Sequence, residues 1–216
     1  MPACHCGTDY DAIFDGTMAQ RDLERYRRRG PEGSTRRLIG ELVRQGVEGR
    51  SLLDIGGGVG VIGHELLSAG ASHALDVDAS RAYLAAAQAE AQRRGTDARA
   101  EYRYGDFVEL AGETAEADIV TLDRVLCCYA NSEALVDCST ARARQLYGVV
   151  YPVDRWWVRL GARAGNTVLA LFRQSFRFYV HPNRTVEERI ASHGLRMVHR
   201  HSGPIWRTLV YRRDNM

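Results

Sequence analysis

From residue 51 onward, short apolar runs alternate with longer amphipathic ones. SLLDI (51–55), HALDV (73–77), ARAEYRY (98–104), ADIVTL (117–122) and QLYGVVYP (145–152) have the length and branched or aromatic content of strands. Between them, GVIGHELLSAG (60–70), the alanine-rich stretch 79–95 and NSEALVDCSTARAR (131–144) read as helices. Gly70 and Gly95 close the first two, and Asn131 or Ser132 caps the third. This alternation predicts an α/β fold, a mainly parallel sheet covered on both faces. The last stretch departs from it. GLRMVHRHS and IWRTLVYRR are strand-like and separated by Gly203-Pro204, which predicts a C-terminal antiparallel hairpin and seven strands in all.

The first fifty residues differ. Residues 17–29 are polar and helix-compatible, with Leu23 and Tyr26 on one face, and Gly30-Pro31 breaks them. A second helix starts at Ser34 or Thr35 and carries Leu38, Ile39, Leu42 and Val43 at helical spacing. The expected division is a helical cap over residues 1–48 and a main domain over 49–216.

Composition narrows the class. With 216 residues, 45% hydrophobic and 26% charged, the chain is long and apolar enough to bury a core without disulfides or metal. Twenty-nine basic residues, all arginine, face 27 acids for a net charge of +2. Exclusive use of arginine reads as coding bias, and the balance gives no reason to expect a nucleic-acid partner. No apolar run approaches the roughly 18–20 residues of a membrane span, so no membrane partner is expected. The N-terminus lacks a basic stretch followed by an apolar one, so no leader is expected. Five cysteines (Cys4, Cys6, Cys127, Cys128, Cys138) in no secreted pattern read as reduced, cytoplasmic thiols.

The strongest motif is Asp54-Ile55-Gly56-Gly57-Gly58-Val59-Gly60, between a strand and a helix. Glycines let the chain turn tightly and let backbone approach a ligand. The spacing is not that of a dinucleotide loop, and Asp54 would repel a pyrophosphate. A carboxylate there suits a cation, such as the sulfonium and ammonium of S-adenosylmethionine. Asp78, 22 residues after Gly56, ends the second strand, where a carboxylate can accept both ribose hydroxyls. Ala79 and Ser80 follow it. Asp76 competes for the role but lies deeper in the strand. Asp106, in Gly105-Asp106-Phe107 after the third strand, can accept from an adenine amino group while Phe107 covers the base. Three acids at three successive strand tips mark the edge where open α/β sheets bind ligands.

On these residues the chain resembles the class I S-adenosylmethionine-dependent methyltransferases. LLDIGGGVG resembles the first motif of that family, VDASRAYL the second, with Arg81 where the family usually has Pro, and YGDF the third. LDRVLCCYANSEALV, VVYPVDRWWVRLG, FRFYVHP and Trp206-Arg207 are similar to magnesium-protoporphyrin O-methyltransferases. The resemblance implies a Rossmann-like, doubly wound sheet with S-adenosylmethionine as cofactor and S-adenosylhomocysteine as product. It also implies that Asp123 and Arg124, at the end of the fourth strand, hold the methionine end.

The remaining candidates are less specific. Tyr129 at the lip of the pocket and His181 in Val-His-Pro are the catalytic candidates, His181 as a base. Phe14, Tyr129, Trp156 and His181 are assigned to a small, apolar or aromatic acceptor, and Tyr26 to the cofactor. Aromatic residues concentrate between Trp156 and Tyr179, where the family inserts substrate-binding elements. Cys4-His5-Cys6 is too tight for the common zinc pattern, and no metal is assigned. A nicotinamide-dependent oxidoreductase is the rival enzyme. A metal- or thiol-sensing protein on the same fold is the rival without catalysis.

Overall fold

The computed structural model describes residues 10–214. Seven strands form one sheet: β1 (Ser51–Ile55), β2 (His73–Asp78), β3 (Ala100–Tyr104), β4 (Ala117–Asp123), β5 (Ala143–Pro152), β6 (Leu195–Ser202) and β7 (Trp206–Arg213). Their spatial order is β3-β2-β1-β4-β5-β7-β6. The first five are parallel, and β7 runs antiparallel between β5 and β6. The helices are α1 (Tyr10–Ile13), α2 (Gly16–Arg29), α3 (Gly33–Arg44), α4 (Val61–Ser68), α5 (Arg81–Arg94), α6 (Phe107–Leu110), α7 (Ser132–Ala141), α8 (Trp156–Leu171) and α9 (Asn183–Ser192).

The central strands read as unbroken apolar runs because both faces are covered. Leu53, Val120 and Val149 enter the core that includes Val136 of α7 and Ile190 of α9. Their chain neighbours Leu52, Ile119 and Val150 enter the opposite core with Leu38 and Leu42 of α3 and Leu66 of α4. Side chains alternating across the pleat thus serve two layers of helices. The order reverses beside β1, whose neighbours β2 and β4 run to opposite edges of the sheet. Such a switch point leaves a crevice at the C-terminal strand ends.

Two helices, α8 and α9, fill a stretch in which the apolar pattern predicts no element. The predicted third helix also ends early, since Ala143 and Arg144 already belong to β5. Within the expected cap, the two long helices have different environments. Leu38 and Leu42 of α3 are fully buried against the sheet, whereas α2 lies over α4 and α5.

Close approach of α3 to the sheet depends on Gly148 in β5. A Cβ there would lie 2.7 Å from Leu38 Cδ1 and 3.4 Å from Thr121 Cγ2. Gly148→Ala is expected to cost about 1–3 kcal/mol through overpacking, lowering Tm by about 2–4 °C per kcal/mol. Thermal melts of Gly148→Ala alone and combined with Leu38→Ala test this, because the smaller side chain should relieve part of the cost.

Candidate functional site

The sequence builds the site at the first strand–helix junction. Gly56 has φ +64°, and a Cβ on it would lie 2.7 Å from Val125 Cγ2. Gly57 is pressed as closely, since its Cβ would meet the Asp76 carboxyl at 2.7 Å. These contacts fix the loop and aim its amides at the neighbouring strand tip. Gly58 N–H donates to Asp78 Oδ2 at 3.0 Å, and Ser80 N–H donates to Asp78 Oδ1 at 2.8 Å. Gly57 N–H donates instead to Asp76 Oδ1 at 3.2 Å.

A cavity of about 430 Å³ opens over these strand tips. That is within the roughly 300–1,000 Å³ of small-molecule sites. Its floor includes Asp54, Gly56, Gly57, Gly58, Asp78, Ala79, Gly105, Asp106, Phe107, Asp123 and Arg124. Tyr26, Phe14, Phe176 and Phe178 form part of its wall. Asp76 is absent from the lining and faces a smaller cleft with His64.

The carboxylates define the electrostatics. Asp54 is buried; its Oδ1 accepts from Thr121 Oγ1 at 2.6 Å, and its Oδ2 has no hydrogen-bond partner. Burial, reinforced by Asp123 and Asp78, pushes its pKa up to about 7 against the pull of Thr121. Burial likewise raises Asp78, although the Ser80, Gly58 and Ala79 amides oppose it. Asp123 Oδ2 accepts from Thr35 Oγ1 at 2.5 Å. Its Oδ1 makes no hydrogen bond and approaches Arg124 Nε at 3.4 Å. Burial raises Asp123, and Arg124 is the main opposing influence. Arg124 has φ +63°, an uncommon conformation for a side chain of this size. From there its guanidinium donates to Glu32 Oε2 at 2.7 Å.

Helix α2 closes one side and is bolted down by pairs distant in sequence. Tyr26 O–H donates to Glu65 Oε1 at 2.5 Å, and its ring stacks on His64. Burial holds His64 neutral by lowering its pKa to about 4. Arg27 donates to the buried Glu90, and Tyr83 O–H donates to Asp22 of α2 at 2.7 Å. Thr35, Asp22 and Tyr83 also line the cavity; no motif marked them, because their partners are 61 or 88 residues away.

Several assignments made from sequence change here. Trp156 is 72% exposed on the outer side of α8 and lies outside the cavity lining. His181 does not line it either; its Nε2 lies 2.9 Å from Leu126 O and 3.0 Å from Tyr129 O, bracing a 3₁₀ turn from behind. No histidine lines the cavity among the described residues. Tyr129 does line it, with its O–H donating to Asp106 at 2.9 Å. Ser80 acts as the N-cap of α5 and donates to Phe14 O at 2.6 Å, outside the lining. Cys127 and Cys128 border the cavity as free thiols, with sulfurs 3.7 Å apart. Cys4 and Cys6 lie outside the described residues. Among those described, no group of three metal-ligating side chains occurs, and no helix is long and apolar enough to cross a membrane.

Comparison with known proteins agrees with the geometry. Residues 52–146 match the methyltransferase domain family. No curated protein matches the chain in sequence. Magnesium protoporphyrin IX methyltransferase from Synechocystis, solved with S-adenosylhomocysteine, superposes with a TM-score of 0.72 at 19% identity. That match covers 94% of this chain and 99% of the other. An O-methyltransferase family protein from Burkholderia thailandensis gives 0.72 at 14% identity, over 97% of this chain and 64% of the other. Residues 52–146 thus carry a methyltransferase domain, and the chain has the fold of these methyltransferases. Its mostly parallel sheet with antiparallel last strands superposes on the fold of the Synechocystis enzyme.

Proposed function

We propose that the protein transfers a methyl group from S-adenosylmethionine to a small, apolar or aromatic molecule by in-line displacement. The observation that carries the reading is the buried Asp54 Oδ2, which lacks a partner in a cavity that also holds Asp78 and Asp123. A buried carboxylate oxygen without a donor is costly, and an ammonium would satisfy it. Asp54 and Asp123 would thus hold the amino-acid end. Asp78, fixed by the glycine loop, would accept the ribose hydroxyls, and Asp106 with Phe107 would hold adenine. S-adenosylmethionine supplies a sulfonium methyl: the acceptor's lone pair bonds to carbon while the C–S pair returns to sulfur.

The chain's own task is alignment and exclusion of water. Phe14, Phe176 and Phe178 offer the apolar wall against which an acceptor would lie. Two acids near the mouth, Asp22 and Glu32, are both paired with Arg25, and Glu32 also with Arg124. With these occupied and no histidine in the described lining, the reading favours an acceptor already nucleophilic in water, such as a carboxylate or thiolate. Tyr10, Phe14, Asp22, Tyr26 and Thr35 all line the cavity, which supports a cap role for this part of residues 1–48. Free thiols at Cys127, Cys128 and Cys138 support a reducing, cytoplasmic setting.

A thermal shift tests the reading. S-adenosylhomocysteine at about 100 times its Kd should raise Tm by roughly 5–10 °C. NADH should leave Tm unchanged. No rise with S-adenosylhomocysteine, or a rise with NADH instead, overturns it.

A further inference from the structure

Helix α8 has little of itself inside the protein. Val158 is its one fully buried residue, while Trp156 is 72%, Leu160 58% and Leu171 77% exposed, followed by Phe172 at 74%. At 3.6 residues per turn, Trp156, Leu160, Leu171, Trp157 and Val168 fall within a stripe roughly 120° wide. Val158 lies on the opposite side. The helix is held in place by that side and by hydrogen bonds at Trp157 and Asn166. Trp157 Nε1 donates to Pro204 O at 3.3 Å, and Asn166 exchanges two hydrogen bonds with the Phe178 backbone. Ile205, next to Pro204, is also largely exposed and extends the apolar surface. A patch this large on a soluble protein marks an interaction surface.

Charge selects the occupant. Between Asp154 and Glu187 the sequence has six arginines and no acid. Arg155, Arg159, Arg163 and Arg173 are exposed, with Arg159, which also lies 3.6 Å from Asp154, and Arg163 on one flank of the apolar stripe. A second copy docked symmetrically would bring this face against itself and set arginine against arginine. An anionic lipid surface offers what the face lacks: phosphates for the arginines and acyl chains for the tryptophans and leucines. Interfacial helices combine these features.

We propose that α8 docks the protein on an anionic membrane surface, with Trp156, Leu160 and Leu171 seated among the lipids. The docking needs no spanning segment. It also has a consequence for the cavity. The chain leaving α8 folds back along it, and Phe176 and Phe178 of that return line the cavity. The surface that meets lipid is therefore continuous with an aromatic cavity wall, which suits an apolar acceptor drawn from the membrane. The docking itself does not depend on which reaction the cavity performs.

Vesicle sedimentation tests the proposal. The full chain should partition onto phosphatidylcholine vesicles containing phosphatidylglycerol on the order of 100-fold more strongly than onto phosphatidylcholine alone. Added salt should weaken the binding. Leu160→Ser combined with Leu171→Ser should reduce binding at least roughly tenfold, given the apolar area removed. The thermal shift with S-adenosylhomocysteine should persist, showing an intact fold and cofactor site. Arg159→Glu with Arg163→Glu should remove the preference for anionic vesicles. Failure of the native chain to bind either vesicle overturns the proposal. So does a native dimer in sedimentation velocity that the leucine variant converts to monomer, because the face would then be a subunit interface.

Discussion

Asp78→Ala is expected to weaken S-adenosylhomocysteine binding by about 10²–10⁴-fold. The estimate follows from two charge-assisted hydrogen bonds to ribose hydroxyls, each contributing about 1.5–3 kcal/mol. The carboxylate is ready for that task before any ligand arrives. Gly58 and Ser80 amides hold its two oxygens in place, so little ordering is needed on binding. The same substitution should change the ligand-free Tm little. Two backbone donors lose their acceptor, but a half-buried carboxylate whose ionisation is disfavoured by its surroundings is removed as well. Asp78→Asn keeps the shape and one acceptor and should fall between, near tenfold. Asp76→Asn is the control, since Asp76 faces the smaller cleft beside His64 rather than the cavity. Calorimetric titration of the three variants decides the matter. Unchanged affinity in Asp78→Ala, or a larger loss in Asp76→Asn, would remove Asp78 from the ribose role.

The contrast between Asp78 and Asp76 shows how far the sequence could be read. Strand tips are legible because burial on both faces leaves the central strands as apolar runs, and glycine follows β1 and β3 directly. Acids placed just beyond those runs therefore had known positions along the sheet edge. Which face a carboxylate takes was also open to the two-residue period, but the presence of a second cleft was not. The helices α8 and α9 were hidden for a physical reason. Only Val158 of α8 is buried, so it has no inward apolar stripe of the usual width, and Gly161 and Gly165 interrupt it. Its aromatic residues consequently read as pocket wall. The N-terminus of α9 follows Pro182 without a side-chain cap. The position of His181 outside the lining has a related reason: its ring is held by two carbonyls about fifty residues earlier, a tertiary fact with no local signature. The attachment of α2 through Tyr26–Glu65 and Arg27–Glu90 is of the same kind.

Cofactor binding is also expected to release a proton, and Asp54 is the source. Its pKa in the ligand-free protein is about 7, against about 3.9 for an unfolded aspartate. The folded chain therefore binds the extra proton. The associated stability is fully present below about pH 4 and is lost as pH rises through about 7. An ammonium at Asp54 Oδ2 reverses the preference by favouring the charged carboxylate. Near pH 6, binding of S-adenosylhomocysteine should thus expel close to one proton from Asp54, and near pH 8.5 almost none. Affinity should rise with pH below 7, by at most about tenfold per pH unit, and level off above it. Calorimetry at each pH in two buffers of different ionisation enthalpy measures the proton count directly. Asp54→Asn separates the two sides of the linkage. Without the buried charge, the variant should melt higher than the native protein at pH 8, the difference closing toward pH 5. It should also bind S-adenosylhomocysteine more weakly and with no proton release. An affinity that stays independent of pH in the native protein, with no proton exchanged, would mean that the ammonium is held elsewhere. The unpartnered oxygen of Asp54 would then need another cation to explain it.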